Sequence, residues 1–112
     1  MRRHPIWLHG PAPHHQHCHA TEKWSNLTLG DFARVRARET PDRIVFPGLS
    51  PGITYANLLA DAEALAAAIA DLGLVPGDVI SFQTPNWVEA AVINLAATLG
   101  GYVVNPIVII YR

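Results

Sequence analysis

Two short apolar runs separated by one helical repeat constrain the fold more than any other feature of the chain. Val79–Phe82 has the β-branched and aromatic residues typical of a strand, and Tyr102–Val104 is similar. Between them, apolar residues recur at helical spacing over Trp87–Leu99, Asn86 stands where a helix cap would stand, and Gly100–Gly101 ends the repeat. A strand, a helix and a second strand predict a right-handed crossover between two parallel strands that are adjacent or nearly adjacent in the sheet.

A shorter helix is predicted nearer the start of the chain. Thr28 can cap it, and Asp31 is placed to return a contact to the helix start. Apolar residues favour a helix over Leu29–Arg38, and Pro41 closes it because the residue before a proline avoids helical dihedral angles. The run Arg43–Phe46 is predicted to form a third strand.

The longest predicted helix is Tyr55–Leu72. Thr54 is a suitable cap for it, and an apolar stripe runs along this alanine-rich stretch. Gly73 follows the last periodic residue, as glycine often does where the chain must leave a helix with left-handed dihedral angles. Together these elements predict the α/β class and, more narrowly, an incomplete parallel-sheet βαβ unit.

The first 26 residues differ from the rest in composition. All six histidines lie within the first 19 positions. We therefore predict a disordered His- and Pro-rich leader over residues 1–26 and a domain over residues 27–112. Imidazole and thiolate are ligands for zinc, nickel and copper, which makes His15, His17, Cys18 and His19 candidates for a metal site. A leader that takes up metal adventitiously is favoured, because no neighbouring residues would hold these ligands in a fixed geometry.

Composition excludes some classes of protein. The net charge is -1 and no basic stripe is present, so we expect no nucleic-acid partner. One cysteine cannot form an internal disulfide, which suits a reducing compartment and leads us to expect a cytoplasmic protein. The apolar stretch from Val88 to Tyr111 is interrupted by Glu89, Asn94 and Pro106, so no membrane span is predicted.

Several short motifs follow one another in a specific order. They are Ile53-Thr54-Tyr55, Leu72-Gly73, Pro76-Gly77-Asp78-Val79, Pro85-Asn86-Trp87 with Glu89, and Asn105-Pro106-Ile107-Val108 through Tyr111-Arg112. In this order they resemble the opening of the adenylate-forming, or AMP-binding, enzymes, and their ending is most similar to fatty-acyl and alicyclic-acid CoA ligases. The resemblance covers residues 27–112 and implies that they belong to the large N-terminal domain of that family. Because the motif residues also suit caps and turns, we predict scaffold roles for them, with Trp87 packed against the domain.

The resemblance implies an ATP-dependent carboxylic acid–CoA ligase. Such enzymes make an acyl-adenylate from ATP and a carboxylate and then transfer the acyl group to CoA, so ATP, Mg²⁺ and CoA are the implied cofactors. The family's Ser/Thr/Gly-rich loop with its lysine, Thr-Glu pair, ribose-binding aspartate and C-terminal lysine do not occur in this chain, whose one lysine is Lys23. We therefore predict no catalytic and no cofactor-binding residues, and an N-terminal ligase fragment that is inactive alone.

Two alternatives to a ligase fragment stay open. One is a non-catalytic α/β module that associates with another chain, and the other is a small His-rich metal-binding protein. For the fragment, the expected partner is the rest of the ligase domain, or a second copy, because a parallel sheet is normally covered on both faces. The uncharged, β-prone run from Ile107 to Tyr111 would add to self-association. The side chains expected to be exposed for such contacts are Val79, Phe82, Val92, Leu95, Val103 and Val104.

Overall fold

The computed structural model describes residues 25–48 and 52–110. Within these residues the chain forms, in order, α1 (Leu29–Glu39), α2 (Tyr55–Asp71), β1 (Val79–Phe82), α3 (Val88–Gly100) and β2 (Val103–Pro106). Each bound lies within two residues of the bound predicted for the same element. The predicted leader, apart from Ser25 and Asn26, falls outside the described residues.

β1 and β2 are neighbours in a parallel sheet. Val79 pairs with Val103 and Phe82 with Pro106, so both strands stay in register over their whole length. α3 connects them along the chain and packs against β2. The predicted α/β class and the parallel pairing of these two strands are confirmed.

The turn before β1 is fastened both to itself and to the turn before β2. Asp78 closes the first turn, since its Oδ2 accepts a hydrogen bond from the Val75 N–H at 2.8 Å. The Gly77 N–H donates to the Gly101 carbonyl at 2.9 Å, and the Val103 N–H donates to the Asp78 carbonyl at 2.8 Å. Gly77 and Gly101 have φ of 94° and 71°, a region that favours glycine. These main-chain contacts set the register of the sheet at its first residue pair.

Two threonine caps begin the first two helices, as predicted. Thr28 Oγ1 accepts a hydrogen bond from the Asp31 N–H at 3.2 Å, and Asp31 Oδ2 accepts one from the Thr28 N–H at 2.8 Å. This reciprocal pair is a complete capping box, which satisfies two amides that have no partner within the helix. At α2, Thr54 Oγ1 accepts a hydrogen bond from the Asn57 N–H at 3.2 Å.

The three helices enclose the described core, and small residues set how closely they approach. Ala62 of α2 and Ala96 of α3 have no exposed surface. A Cβ on Gly30 would lie 2.8 Å from Leu99 Cδ2, so the glycine lets α1 approach α3 without a shift of the Leu99 side chain. Leu95 is 6% exposed, so the prediction that it faces outward is wrong: it lies on the side of α3 that packs on α2. The buried core cluster is Ile53, Leu58, Ala62, Leu95 and Ala96.

The predicted strand Arg43–Phe46 is wrong. Ile44 forms a single antiparallel bridge, to Thr54, and the adjacent Val45 N–H donates to the Ile53 carbonyl at 2.8 Å. A β-prone run becomes a strand only where a partner continues beside it, and here the partner turns into α2 at Tyr55. The contact therefore ends after one bridge.

The predicted start of α3 also needs correction. Its N-cap is Trp87, which makes no side-chain capping hydrogen bond, so the assignment of Asn86 as the cap is wrong. The Trp87 side chain is 60% exposed in this chain instead of packed against the domain. The helix therefore begins without the side-chain acceptor that helps the other two.

Candidate functional site at the carboxyl edge of the sheet

A crevice lies where both strands end. β1 ends at Phe82 and β2 at Pro106, and because the strands are parallel these ends share one edge of the sheet. In open α/β sheets, ligands bind in the crevice beyond the carboxyl ends of the strands. The cavity here has a volume of about 380 Å³. Its lining combines the loop after β1, the first turns of α3 and the segment after β2: Phe82, Thr84, Pro85, Asn86, Ala90, Asn94, Pro106, Ile107, Val108 and Ile109.

Hydrogen bonds to main-chain carbonyls shape this crevice. The Ile107 N–H donates to the Phe82 carbonyl at 2.8 Å, which extends the ladder by one step beyond the strands. Gln83 Nε2 donates to the Val108 carbonyl at 3.0 Å and ties the two exit segments together. Asn94 Nδ2 donates to the Ala90 carbonyl at 2.8 Å, within α3. These side chains hold the walls of the crevice in place.

The described residues that line the crevice carry no charge. The sequence has no lysine, arginine or histidine between Arg43 and Arg112, whereas Asp61, Glu63, Asp71, Asp78 and Glu89 lie in that interval. A triphosphate needs cations and convergent N–H donors where its charge is concentrated. The donor set of the crevice therefore does not fit ATP.

Metal ligation finds no better support in the described residues. Across residues 25–48 and 52–110, no three His, Cys, Asp or Glu side chains come together in a group that could hold a metal ion. Magnesium prefers carboxylate and water oxygens, and the crevice lining offers no carboxylate. The candidate metal ligands His15, His17, Cys18 and His19 lie outside the described residues.

A second concavity is an apolar groove of about 350 Å³ between the three helices. Leu29 and Phe32 on its α1 side are 65% and 47% exposed. Arg36 is the one cation among its lining residues, and its Nη1 lies 3.3 Å from Glu39 Oε2, with both side chains largely exposed. Its lining residues include no nucleophilic side chain paired with a general base. Its lining residues are Leu29, Phe32, Ala33, Arg36, Tyr55, Leu58, Ala91, Asn94 and Leu95.

Among residues 25–48 and 52–110, Asp31 is the residue with a shifted pKa, and it lines neither concavity. A hydrogen bond from the Thr28 N–H, joined by one from the Thr28 hydroxyl, lowers the pKa of Asp31 below its ordinary value. Arg34 contributes in the same direction, with its Nη1 3.6 Å from Asp31 Oδ1. The shift belongs to the helix cap and indicates no catalytic acid or base.

The sequence did not predict the crevice as a site. The sequence favours a helix cap at Asn86 and a strand-forming run from Ile107 onward, and neither pattern marks a crevice. The available signal was the topology itself, since two parallel strands place their exit loops side by side.

In the described part of the chain, no helix is both long enough and apolar enough to cross a membrane.

The fold and the site define a parallel α/β unit packed with helices, whose crevice at the carboxyl edge of the sheet is lined by uncharged residues. Residues 33–112 match the family model of the AMP-binding enzymes, and the chain belongs to that family. The resemblance inferred from the motifs is thereby confirmed. Enzymes of this family use ATP, Mg²⁺ and CoA in general.

Individual relatives agree with this assignment. The chain is 36% identical over 90 residues to the medium-chain fatty-acid–CoA ligase of Escherichia coli, covering 80% of this chain and 16% of that protein. It is 35% identical over 97 residues to the salicyl-AMP ligase / salicyl-S-ArCP synthetase of Mycobacterium tuberculosis, covering 81% of this chain and 17% of the relative. The apo structure of Mycobacterium smegmatis MbtA superposes with a TM-score of 0.78 at 34% identity, over 91% of this chain and 20% of that one. The chain thus spans about a sixth of the length of these curated relatives.

Proposed function

We propose that this chain supplies the N-terminal scaffold of an ATP-dependent carboxylic acid–CoA ligase and has no ligase activity by itself. The parent reaction joins ATP, a carboxylate and CoA to give acyl-CoA, AMP and diphosphate through an acyl-adenylate. The role proposed for these residues is to position the carboxyl edge of a parallel sheet. The chemistry is assigned to residues outside the matched segment.

One observation carries this proposal. Several of the motif residues that identify the family form turns, caps and main-chain contacts, as the Thr54 cap and the main-chain bonds of Gly77 and Asp78 to the turn before β2 illustrate. Each of these contacts is satisfied within the protein, and none leaves a reactive group aimed into the crevice. The signature therefore supports a structural contribution.

Electrostatics support the second half of the proposal. The interval between Arg43 and Arg112 contains five carboxylates and no cation. None of these carboxylates lines the crevice, and its uncharged lining offers no cation to balance the charge of a triphosphate. Adenylation by this chain alone is therefore not expected.

For the substrate we propose a carboxylic acid of the fatty-acid class, supported by the similarity to the medium-chain fatty-acid–CoA ligase. The sequence identity to a salicyl-AMP ligase is nearly as high, so an aryl acid is the alternative substrate against which a fatty acid must be compared. A substrate panel should therefore contain both classes. Octanoate, decanoate, benzoate and salicylate cover them.

Two experiments test the proposal. In the first, the purified chain receives ATP, Mg²⁺, CoA and the acid panel, and diphosphate release should stay at background. In the second, residues 33–112 replace the matching segment of the Escherichia coli ligase, and the chimera should retain ligase activity. A matched chimera carrying Gly101→Ala should lose activity together with stability.

Turnover by the isolated chain, after controls for host enzymes, would contradict the proposed inactivity. A chimera that folds with the stability of its parent but has no activity on the panel would contradict the scaffold role. The acid that the active chimera prefers reflects the residues of the Escherichia coli ligase that the replacement leaves in place. Substrate class must therefore be tested in the natural context of this chain.

A further inference from the structure

The apolar groove between the three helices has the character of a small-molecule site. Its volume of about 350 Å³ lies within the range of pockets that bind small ligands. Most of its surface is hydrocarbon, since exposed Leu29 and Phe32 form its α1 side and the buried Leu58 and Leu95 also line it. The groove therefore offers apolar contact to a ligand without any rearrangement of the core.

One cation lies at one end of this apolar surface. Leu29 and Arg36 are both on α1, and seven helical residues separate their positions by about 10 Å along the helix axis. Among the described residues that line the groove, Arg36 is the one that carries a charge. The α1 wall thus has hydrocarbon at its start and a guanidinium at its end. This arrangement is complementary to an amphipathic anion.

The guanidinium of Arg36 can bind such an anion. Its Nη1 lies 3.3 Å from Glu39 Oε2, and the side chains of both residues are 59% exposed. Exposed ion pairs of this kind contribute little to stability, because water and salt screen them. A guanidinium has five N–H donors and often binds a carboxylate through two of them. A carboxylate ligand would therefore share Arg36 with Glu39 or replace it.

The volume of the groove limits the length of the apolar part of the ligand. An apolar cavity of about 150 Å³ takes up benzene, so about 350 Å³ suits a chain of about ten carbons. We propose that the groove binds a medium-chain carboxylate, with its alkyl chain along Leu29 and Phe32 and its carboxylate at Arg36. This site lies on the helices, apart from the crevice. It binds without chemistry and does not depend on the proposed ligase function.

Equilibrium dialysis of the full chain with decanoate tests the proposal, because it measures both affinity and stoichiometry. Decanoate is kept at neutral pH and below the concentration at which it forms micelles. Saturable binding of one decanoate per chain is expected. Octanoate should bind more weakly by up to about fifteenfold, because it lacks two methylene groups. Decanol has the same chain without the charge and should also bind more weakly than decanoate.

Four variants at exposed positions test whether the groove and its cation hold the ligand. Arg36→Gln should weaken decanoate binding about fivefold and leave decanol binding unchanged. Arg38→Gln is the matched control, since it removes the same charge from the same helix at a residue that does not line the groove. Phe32→Ala should weaken the binding of both ligands, because it removes apolar contact. Glu39→Gln should strengthen decanoate binding, because it removes the carboxylate beside Arg36.

Far-UV circular dichroism establishes that each variant keeps its helices, and Arg36→Met replaces Arg36→Gln if the latter unfolds. Absence of saturable decanoate binding to the wild-type chain would overturn the proposal. Equal losses in Arg36→Gln and Arg38→Gln would reduce the effect to net charge and overturn it as well. Binding that neither Arg36→Gln nor Phe32→Ala changes would place the ligand outside the groove. The diphosphate assay decides the proposed inactivity separately, because binding at this site requires no adenylation.

Discussion

The packing of Tyr102 over Gly100 gives a prediction that can be tested in depth. Tyr102 is 8% exposed, and a Cβ built on Gly100 would lie 2.7 Å from its Cδ2 and 3.0 Å from its Cζ. Gly100→Ala should gain at most about 1 kcal/mol from helix propensity. Forcing the ring out of its place should cost about 1–3 kcal/mol. The steric cost exceeds the gain over most of this range, so we expect a net loss of up to about 3 kcal/mol in the free energy of unfolding.

The cause can be isolated in a second background. Tyr102→Val removes the ring atoms that Gly100→Ala would meet, so the same alanine should there be neutral or stabilising by up to about 1 kcal/mol. The four proteins form a double-mutant cycle, measured by urea unfolding followed at 222 nm at low protein concentration. A loss of equal size in both backgrounds, or a gain in the wild type, would refute the steric explanation.

Three further predictions concern caps and the chain end. The lowered pKa of Asp31 means that its charge stabilises the fold above the ordinary carboxyl pKa and that this contribution is lost as pH falls through the folded value. Asp31→Asn should therefore flatten the acid side of the stability profile, and an unchanged profile would argue against the capping box. Thr54→Ala should lower the free energy of unfolding, measured in urea, by about 1 kcal/mol, because it removes the α2 cap. The control is Thr98→Ala, which removes a hydrogen bond to the preceding turn of its helix. This control should change stability by less than about 0.5 kcal/mol. Ile110 is 77% exposed, so the isolated chain should self-associate, as measured by sedimentation. Ile110→Lys should reduce this self-association. If the variant and the wild type associate equally, the contact lies elsewhere.

The helices could be predicted because their signals are local, and the two parallel strands because the helix between them implies a crossover connection. A threonine cap with a polar residue three positions later marks where a helix begins. A glycine after the last apolar position marks where it ends. The strand assigned to Arg43–Phe46 failed for the opposite reason, since strand formation depends on a partner elsewhere in the chain. Only Thr54 pairs with Ile44, and α2 begins at the next residue.

The site was harder to predict because no single residue marks it. The crevice arises from the juxtaposition of two exit loops, and the residues that build it are ordinary ones such as Thr84 and Pro85. Its lack of charge is visible in the sequence, but its location depends on strand order. Trp87 shows the same limit, because burial of an aromatic side chain depends on neighbours that its own motif does not specify.

The main-chain bond between Gly77 and Gly101 also has a consequence for the order of folding. The Gly101 carbonyl belongs to the C-cap of α3, so its position is defined only after the last turn of that helix has formed. Helices form in about a microsecond or less, and an ordered helix shortens the loop that must close before distant segments meet. The strands should then pair from Val79 and Val103 toward Phe82 and Pro106. We therefore expect sheet growth to have a direction and the crevice edge to become ordered last.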